Sequence, residues 1–104
     1  MARHPSDAER ADRVAPVREA VARALAGGDG DGLAGLLRDD AAWVSPDGVH
    51  EGDDARARAV ALAVPGARWA EPQVTGARAV FRAESGAALV VELRGEHVVW
   101  AAQA

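Results

Sequence analysis

The sequence predicts an α+β domain, a cone-shaped, curved antiparallel sheet packed against three N-terminal helices. Three observations predict it. The first quarter of the chain carries Val14, Val17, Val21 and Leu25 at helical spacing. From about Ala67 onward the pattern changes to short apolar runs separated by glycine-bearing turns, the mark of antiparallel hairpins. Between them lies residues 28–52, GDGDGLAGLLRDDAAWVSPDGVHEG, which reads as helix, strand, tight turn, strand. Helices followed by a long meander give one sheet with helices on a face. Such a sheet wraps into a cone, and the cone's interior is where a ligand would go.

The 104 residues are expected to form a single domain, 1–104, with 1–12 flexible or a frayed helical extension. Ser6-Asp7-Ala8-Glu9 has capping-box spacing and opens helical structure at Ser6. Pro16 either kinks one long helix or sits in the first turn of a second. The main helix is expected over residues 14–26, with Glu19 and Arg23 as a favourable i,i+4 pair and Gly27-Gly28 as its stop. A short helix over 31–38 follows, with Asp31 as N-cap and Asp39-Asp40 as its end. Residues 41–45, AAWVS, form a strand. SPDG is a turn with Pro46 where a fixed φ near −65° is wanted, and VHEG returns. A third helix covers about 53–63. Strands are expected over 67–75, 77–83, 87–94 and 97–103. Pro72 marks an edge strand or a bulge, and LVVEL a central strand covered on both faces.

Composition narrows the function classes. There is no cysteine, so disulfides and thiolate metal sites are excluded. The net charge of −4 argues against a general nucleic-acid binder. The apolar runs fall far short of the roughly 20 residues that span a bilayer. Residues 1–12 hold no apolar segment of the signal-peptide kind, so a cytoplasmic protein without membrane attachment is expected. No metal is predicted: GDGDG lacks the further ligands of a calcium loop, and His50-Glu51 is not a zinc-binding HExxH. No cofactor is predicted either.

The words Gly28-Asp29, Asp39-Asp40, Pro46-Asp47-Gly48 and Gly52, in that order, resemble the nuclear transport factor 2-like superfamily. More narrowly they are similar to its bacterial branch of polyketide-cyclase-like and ketosteroid-isomerase-like small proteins. The resemblance covers residues 14–102. It implies the cone fold and a homodimer formed through the open sheet face. The isomerases of this superfamily use a carboxylate base before the turn proline, a tyrosine on the first helix and a protonated aspartate on a late strand. Those positions are Ser45, Val21 and Leu89 here, so all three roles are empty. The related cyclases use a pocket aspartate and sometimes a histidine. Outside the N-terminal tail the histidines are His50 and His97.

Strand alternation puts Trp43 with Ser45, Leu89 with Val91 and Leu93, and Val98 with Trp100 and Ala102. The candidate ligand pocket is therefore Trp43, Ser45, Leu89, Val91 and Trp100, lined for an apolar or aromatic small molecule. The competing reading has Trp43 and Trp100 simply filling a core otherwise made of alanine and valine. His50 is a weak candidate for general acid/base, set against an exposed hairpin histidine. His97 is expected to be exposed. Arg56 and Arg58 form a solvated helix face, or hold a carboxylate at a pocket mouth. Glu92 is expected to meet an arginine such as Arg82 across strands or across a dimer interface. Three functions follow: a small-molecule-binding protein, a cyclase- or isomerase-like enzyme with an acid/base near the turn from Ser45 to Gly48, or a dimerisation module whose cone is self-filled.

Overall fold

A computed structural model describes residues 6–104; the expectation for residues 1–5 lies outside them. Four helices and a six-stranded sheet follow one another as α1 (Asp7–Arg13), α2 (Ala15–Gly27), α3 (Gly30–Leu36), β1 (Leu37–Ser45), β2 (Gly48–Glu51), α4 (Gly52–Leu62), β3 (Gln73–Thr75), β4 (Arg78–Arg82), β5 (Ala88–Arg94) and β6 (His97–Gln103).

The Ser6 hydroxyl accepts the Glu9 N–H at 3.2 Å and caps α1. The helices do not fuse, because Pro16 lies in the first turn of α2, where its missing N–H costs nothing. Val14, Val17, Val21 and Leu25 are all buried, as the helical spacing predicts. At the end of α2, Gly28 adopts the left-handed conformation with φ 64°. The cap of α3 is Asp29, whose carboxylate accepts the Gly32 N–H at 2.9 Å, and not the expected Asp31. The helix also stops earlier than expected. Leu37 is already extended, and Asp39 and Asp40 lie within β1, where the register against β6 is irregular between Leu37 and Ala42.

Gly28 does double duty. A Cβ built there would lie 2.5 Å from the Pro65 Cα, so the α2–α3 turn passes directly against the segment leaving α4. Left-handed backbone and a backbone clash together make Gly28→Ala costly, by about 2 kcal/mol or more of unfolding free energy in urea. A loss below about 0.5 kcal/mol would contradict this close approach.

The strand order is β2-β1-β6-β5-β4-β3. All neighbours are antiparallel except β1 and β6, which run parallel, so the open, curved sheet is mixed and not purely antiparallel. β3 is a three-residue edge strand preceded by Pro72, shorter than expected because most of residues 67–72 forms a loop, bridged at Trp69 to Ala83 just beyond the end of β4. The core lies on one face of the sheet. There Trp43, Ala79, Phe81, Leu89, Val91, Leu93, Val98 and Ala101 pack against α2, α3 and α4.

The other face is bare. Reading straight across the strands, Val49 opposes Val44, Val44 opposes Ala102, Ala102 opposes Val90, and Val90 opposes Val80. This apolar row crosses five strands, and none of its members packs against the core cluster. β5 is thus central but covered on one face only. Beside the row, Glu92 pairs with Arg78, its direct cross-strand partner, at 3.0 Å, rather than with Arg82.

Candidate functional site

The β1–β2 hairpin concentrates the polar chemistry. Ser45 ends β1 on the inner face and is buried. His50 lies opposite Trp43 in the ladder, so the two share that face, and its side chain is 16% exposed. Asp47 projects from the turn, 60% exposed. Arg58 reaches it from α4.

Four contacts tie these residues together. The Ser45 hydroxyl hydrogen-bonds Asp47 Oδ1, and His50 Nε2 lies 2.9 Å from Ser45 Oγ. His50 Nε2 stands 3.5 Å from Asp47 Oδ1. An Arg58 guanidinium N–H donates to Asp47 Oδ2 at 2.6 Å. Asp47 is held well below the usual carboxylate range, first by the Ser45 hydrogen bond and then by that from Arg58. Arg56, on the same helix, holds Asp39 at 2.7 Å and Asp53 at 3.1 Å. Both arginines therefore hold carboxylates at the helix–hairpin junction.

The proton positions decide what this cluster can do. A hydroxyl has one proton. Asp47 is an ionised acceptor, so Ser45 donates to it, and His50 Nε2 must then be protonated and donate to Ser45 Oγ. A serine nucleophile needs the reverse, with its proton passing to the imidazole. The carboxylate also stands on the Nε2 side of the ring, not the Nδ1 side. The arrangement locks the hairpin to α4.

This bond set has a pH signature. A carboxyl depressed in the folded state adds stability above its unfolded value and loses that contribution as the pH falls. Asp47→Asn is expected to be less stable than the native chain at neutral pH, with the deficit shrinking from about pH 4 downward. Urea midpoints at neutral and acid pH check this. An equal deficit at both would mean the charge of Asp47 is irrelevant.

Four of the five expected pocket residues, Trp43, Ser45, Leu89 and Val91, do share the inner face. Trp100 does not. Glu92 opposes Trp100 while Leu93 opposes Val98, so Val99 is an extra residue in β6. That bulge reverses the alternation and turns Trp100 and Ala102 to the bare face, with Ala101 inward. Trp43 and Leu89 have no water-accessible surface and Val91 has 1%. The Trp43 indole N–H donates to Gln103 Oε1 at 2.8 Å, a partner across the sheet that the sequence did not single out. Val21 and Leu89, the positions expected from the resemblance to stand where the isomerases carry oxyanion donors, are both fully buried apolar side chains. His97 is exposed. Among the described residues there is no cluster of three or more His, Asp or Glu suited to a metal ion. No helix among them is long and apolar enough to cross a membrane.

No family model and no curated protein matches the sequence. Solved structures do. A nuclear transport factor 2-like protein of unknown function from Mesorhizobium loti is 21% identical, with a TM-score of 0.69 over 99% of this chain and 97% of that one. Another from Burkholderia xenovorans is 20% identical, with a TM-score of 0.68 over 91% and 84%. A Catenulispora acidiphila protein with a ketosteroid isomerase-like fold, in complex with trimethylamine, is 16% identical, with a TM-score of 0.58 over 85% and 83%. With its helices on one face of an open, curved sheet and its hairpin opening α4, this chain has the nuclear transport factor 2-like fold.

Proposed function

We propose that this chain is a self-associating module whose cone is filled by its own side chains, and that it pairs as a homodimer through the bare sheet face. The observation that carries this reading is the contrast between the two faces. Inside, Val21, Leu25, Trp43, Phe81, Leu89 and Ala101 have no surface that water reaches, from outside or from an internal void. Outside, the row Val49, Val44, Ala102, Val90 and Val80 has no helix over it: Val49 is 63% exposed, and the other four, with Trp100 alongside, are half-buried. A contiguous apolar surface of this kind marks an interaction site. Six strands about 4.8 Å apart supply area of the order of the roughly 800 Å² per partner that a stable interface takes. A second copy is the fitting occupant, because a two-fold axis can lay the uncharged apolar row of one copy against the same row of the other. The test is the solution mass of the native chain and of a Val90→Arg variant, developed in the Discussion.

A second reading, a small molecule held in the cone, draws support from the trimethylamine complex of the Catenulispora neighbour. In this chain a ligand beside Trp43 and Leu89 would need the volume that those side chains occupy. The hydrogen bonds of Ser45 also direct its proton away from His50, which weighs against an enzyme built on that pair.

A further inference from the structure

We propose that Trp100 is the anchor of the self-association surface: the bulge in β6 sets it at the centre of the bare face, where the second copy covers its ring. Its role rests on the reading of that face as a homodimer interface. The chain has four large aromatic side chains, Trp43, Trp69, Phe81 and Trp100, and no tyrosine. Trp43 and Phe81 lie in the core and Trp69 packs against it, whereas Trp100 does neither. The largest side chain on the bare face therefore contributes nothing to filling the cone. Its own sheet covers it only in part. Its direct cross-strand neighbours are Ala42 on β1 and Glu92 on β5. Ala42 offers the ring a single methyl group, and the Glu92 carboxylate is engaged by Arg78 on β4, the strand beyond. The indole N–H of Trp100 has no acceptor among the described residues and, unlike that of Trp69, is not buried.

The position is central in both directions. In the order β2-β1-β6-β5-β4-β3, β6 is third of six, and Trp100 is the middle residue of His97–Gln103. Two residues along β6 on the same face stands Ala102, flanked by Val44 and Val90, so the indole borders the middle of the apolar row. One residue makes this placement. Val98 is buried, and without the extra Val99 strand alternation from Val98 would turn Trp100 to the inner face. Re-aiming a side chain is what a bulge does. Residues that dominate protein–protein contacts are enriched in tryptophan and lie near the middle of the contact, where neighbours exclude water from them. A tryptophan also carries more apolar area than the valines and alanines around it. Trp100 meets each of these conditions, and the half-exposed valines of the row supply its surround.

The test compares dimer dissociation constants, from sedimentation equilibrium, for the native chain, Trp100→Ala, Trp100→Phe and Val49→Ala. Val49 is the control, because it is 63% exposed but lies on β2, at an edge of the sheet. Trp100→Ala is expected to raise the dissociation constant at least about thirtyfold and Val49→Ala less than about fivefold, the contrast between an anchor and a rim contact. Trp100→Phe is expected to fall between them. Far-UV circular dichroism should match the native spectrum in all three, since neither position packs on the core. A second readout uses the native chain itself. Its three tryptophans give three indole signals in a ¹H–¹⁵N spectrum, and Trp100→Phe assigns one of them by its loss. On dilution from dimer to monomer that signal is expected to move, while those of Trp43 and Trp69 stay in place. A native dimer that Trp100→Ala weakens no more than Val49→Ala does, or a Trp100 indole signal unmoved on dilution, would overturn the anchor and leave the homodimer standing. A native chain that stays monomeric up to high-micromolar concentration would overturn both.

Discussion

Trp43→Ala is expected to destabilise the chain by about 3–5 kcal/mol, the range for truncating a fully packed large aromatic. A domain of this size has about 5–15 kcal/mol in total, so the variant should unfold well below the native urea midpoint. Two effects add. The side chain has no exposed surface, so its removal leaves a void lined by the inner faces of β1, β5 and β6. It also strands the Gln103 amide oxygen, which now accepts the indole N–H. Trp43→Phe retains most of the volume and loses only the hydrogen bond, so it should cost clearly less. If the cone were an open ligand site, Trp43 would be packed on one side only. Truncation would then cost about 1 kcal/mol, close to the average for point mutations. Equilibrium urea unfolding of both variants separates these outcomes.

Val90→Arg is expected to break self-association while sparing the fold. Val90 lies within the apolar row, between Ala102 and Val80 on β5, one of the two central strands, on the face that the helices do not cover. In a symmetric pair each substitution acts in both copies, so two guanidinium groups enter the apolar seam. The dimer dissociation constant should rise at least about a hundredfold, the effect of disrupting a central hot spot. Because a dimer is stabilised by mass action, the native melting temperature should climb with protein concentration. That of Val90→Arg should be independent of concentration, with a far-UV circular dichroism spectrum unchanged from the native one. A dimer unaffected by Val90→Arg would place the interface elsewhere.

Much of this architecture could be read from the chain, for physical reasons that also explain the misses. The apolar stripe from Val14 to Leu25 specified α2, since a 3.6-residue period admits only one buried face. The turn through Pro46 and Gly48 specified the β1–β2 hairpin, and with it the nearness of Ser45, Asp47 and His50. Arg58 was beyond that reach, because its contact with Asp47 depends on how α4 crosses the hairpin. The parallel pairing of β1 with β6 joins strands more than fifty residues apart in sequence, and no local pattern encodes it. The bulge at Val99 was equally hidden. His97 to Ala102 reads HVVWAA, where every residue after the histidine is apolar, so parity alone cannot show that one has been skipped. That single extra residue moved Trp100 from the expected pocket to the bare face. It thereby weakened the case for a tryptophan-lined cone and strengthened the case for a surface that binds another chain. Trp69 drew no notice in a segment that looked like one long strand.

Sedimentation equilibrium of the native chain at micromolar concentration tests self-association most directly. The filled cone and the apolar row together predict a mass twice the 10.7 kDa of the chain, falling to 10.7 kDa for Val90→Arg. A native chain that stays at 10.7 kDa up to high-micromolar concentration would contradict the account.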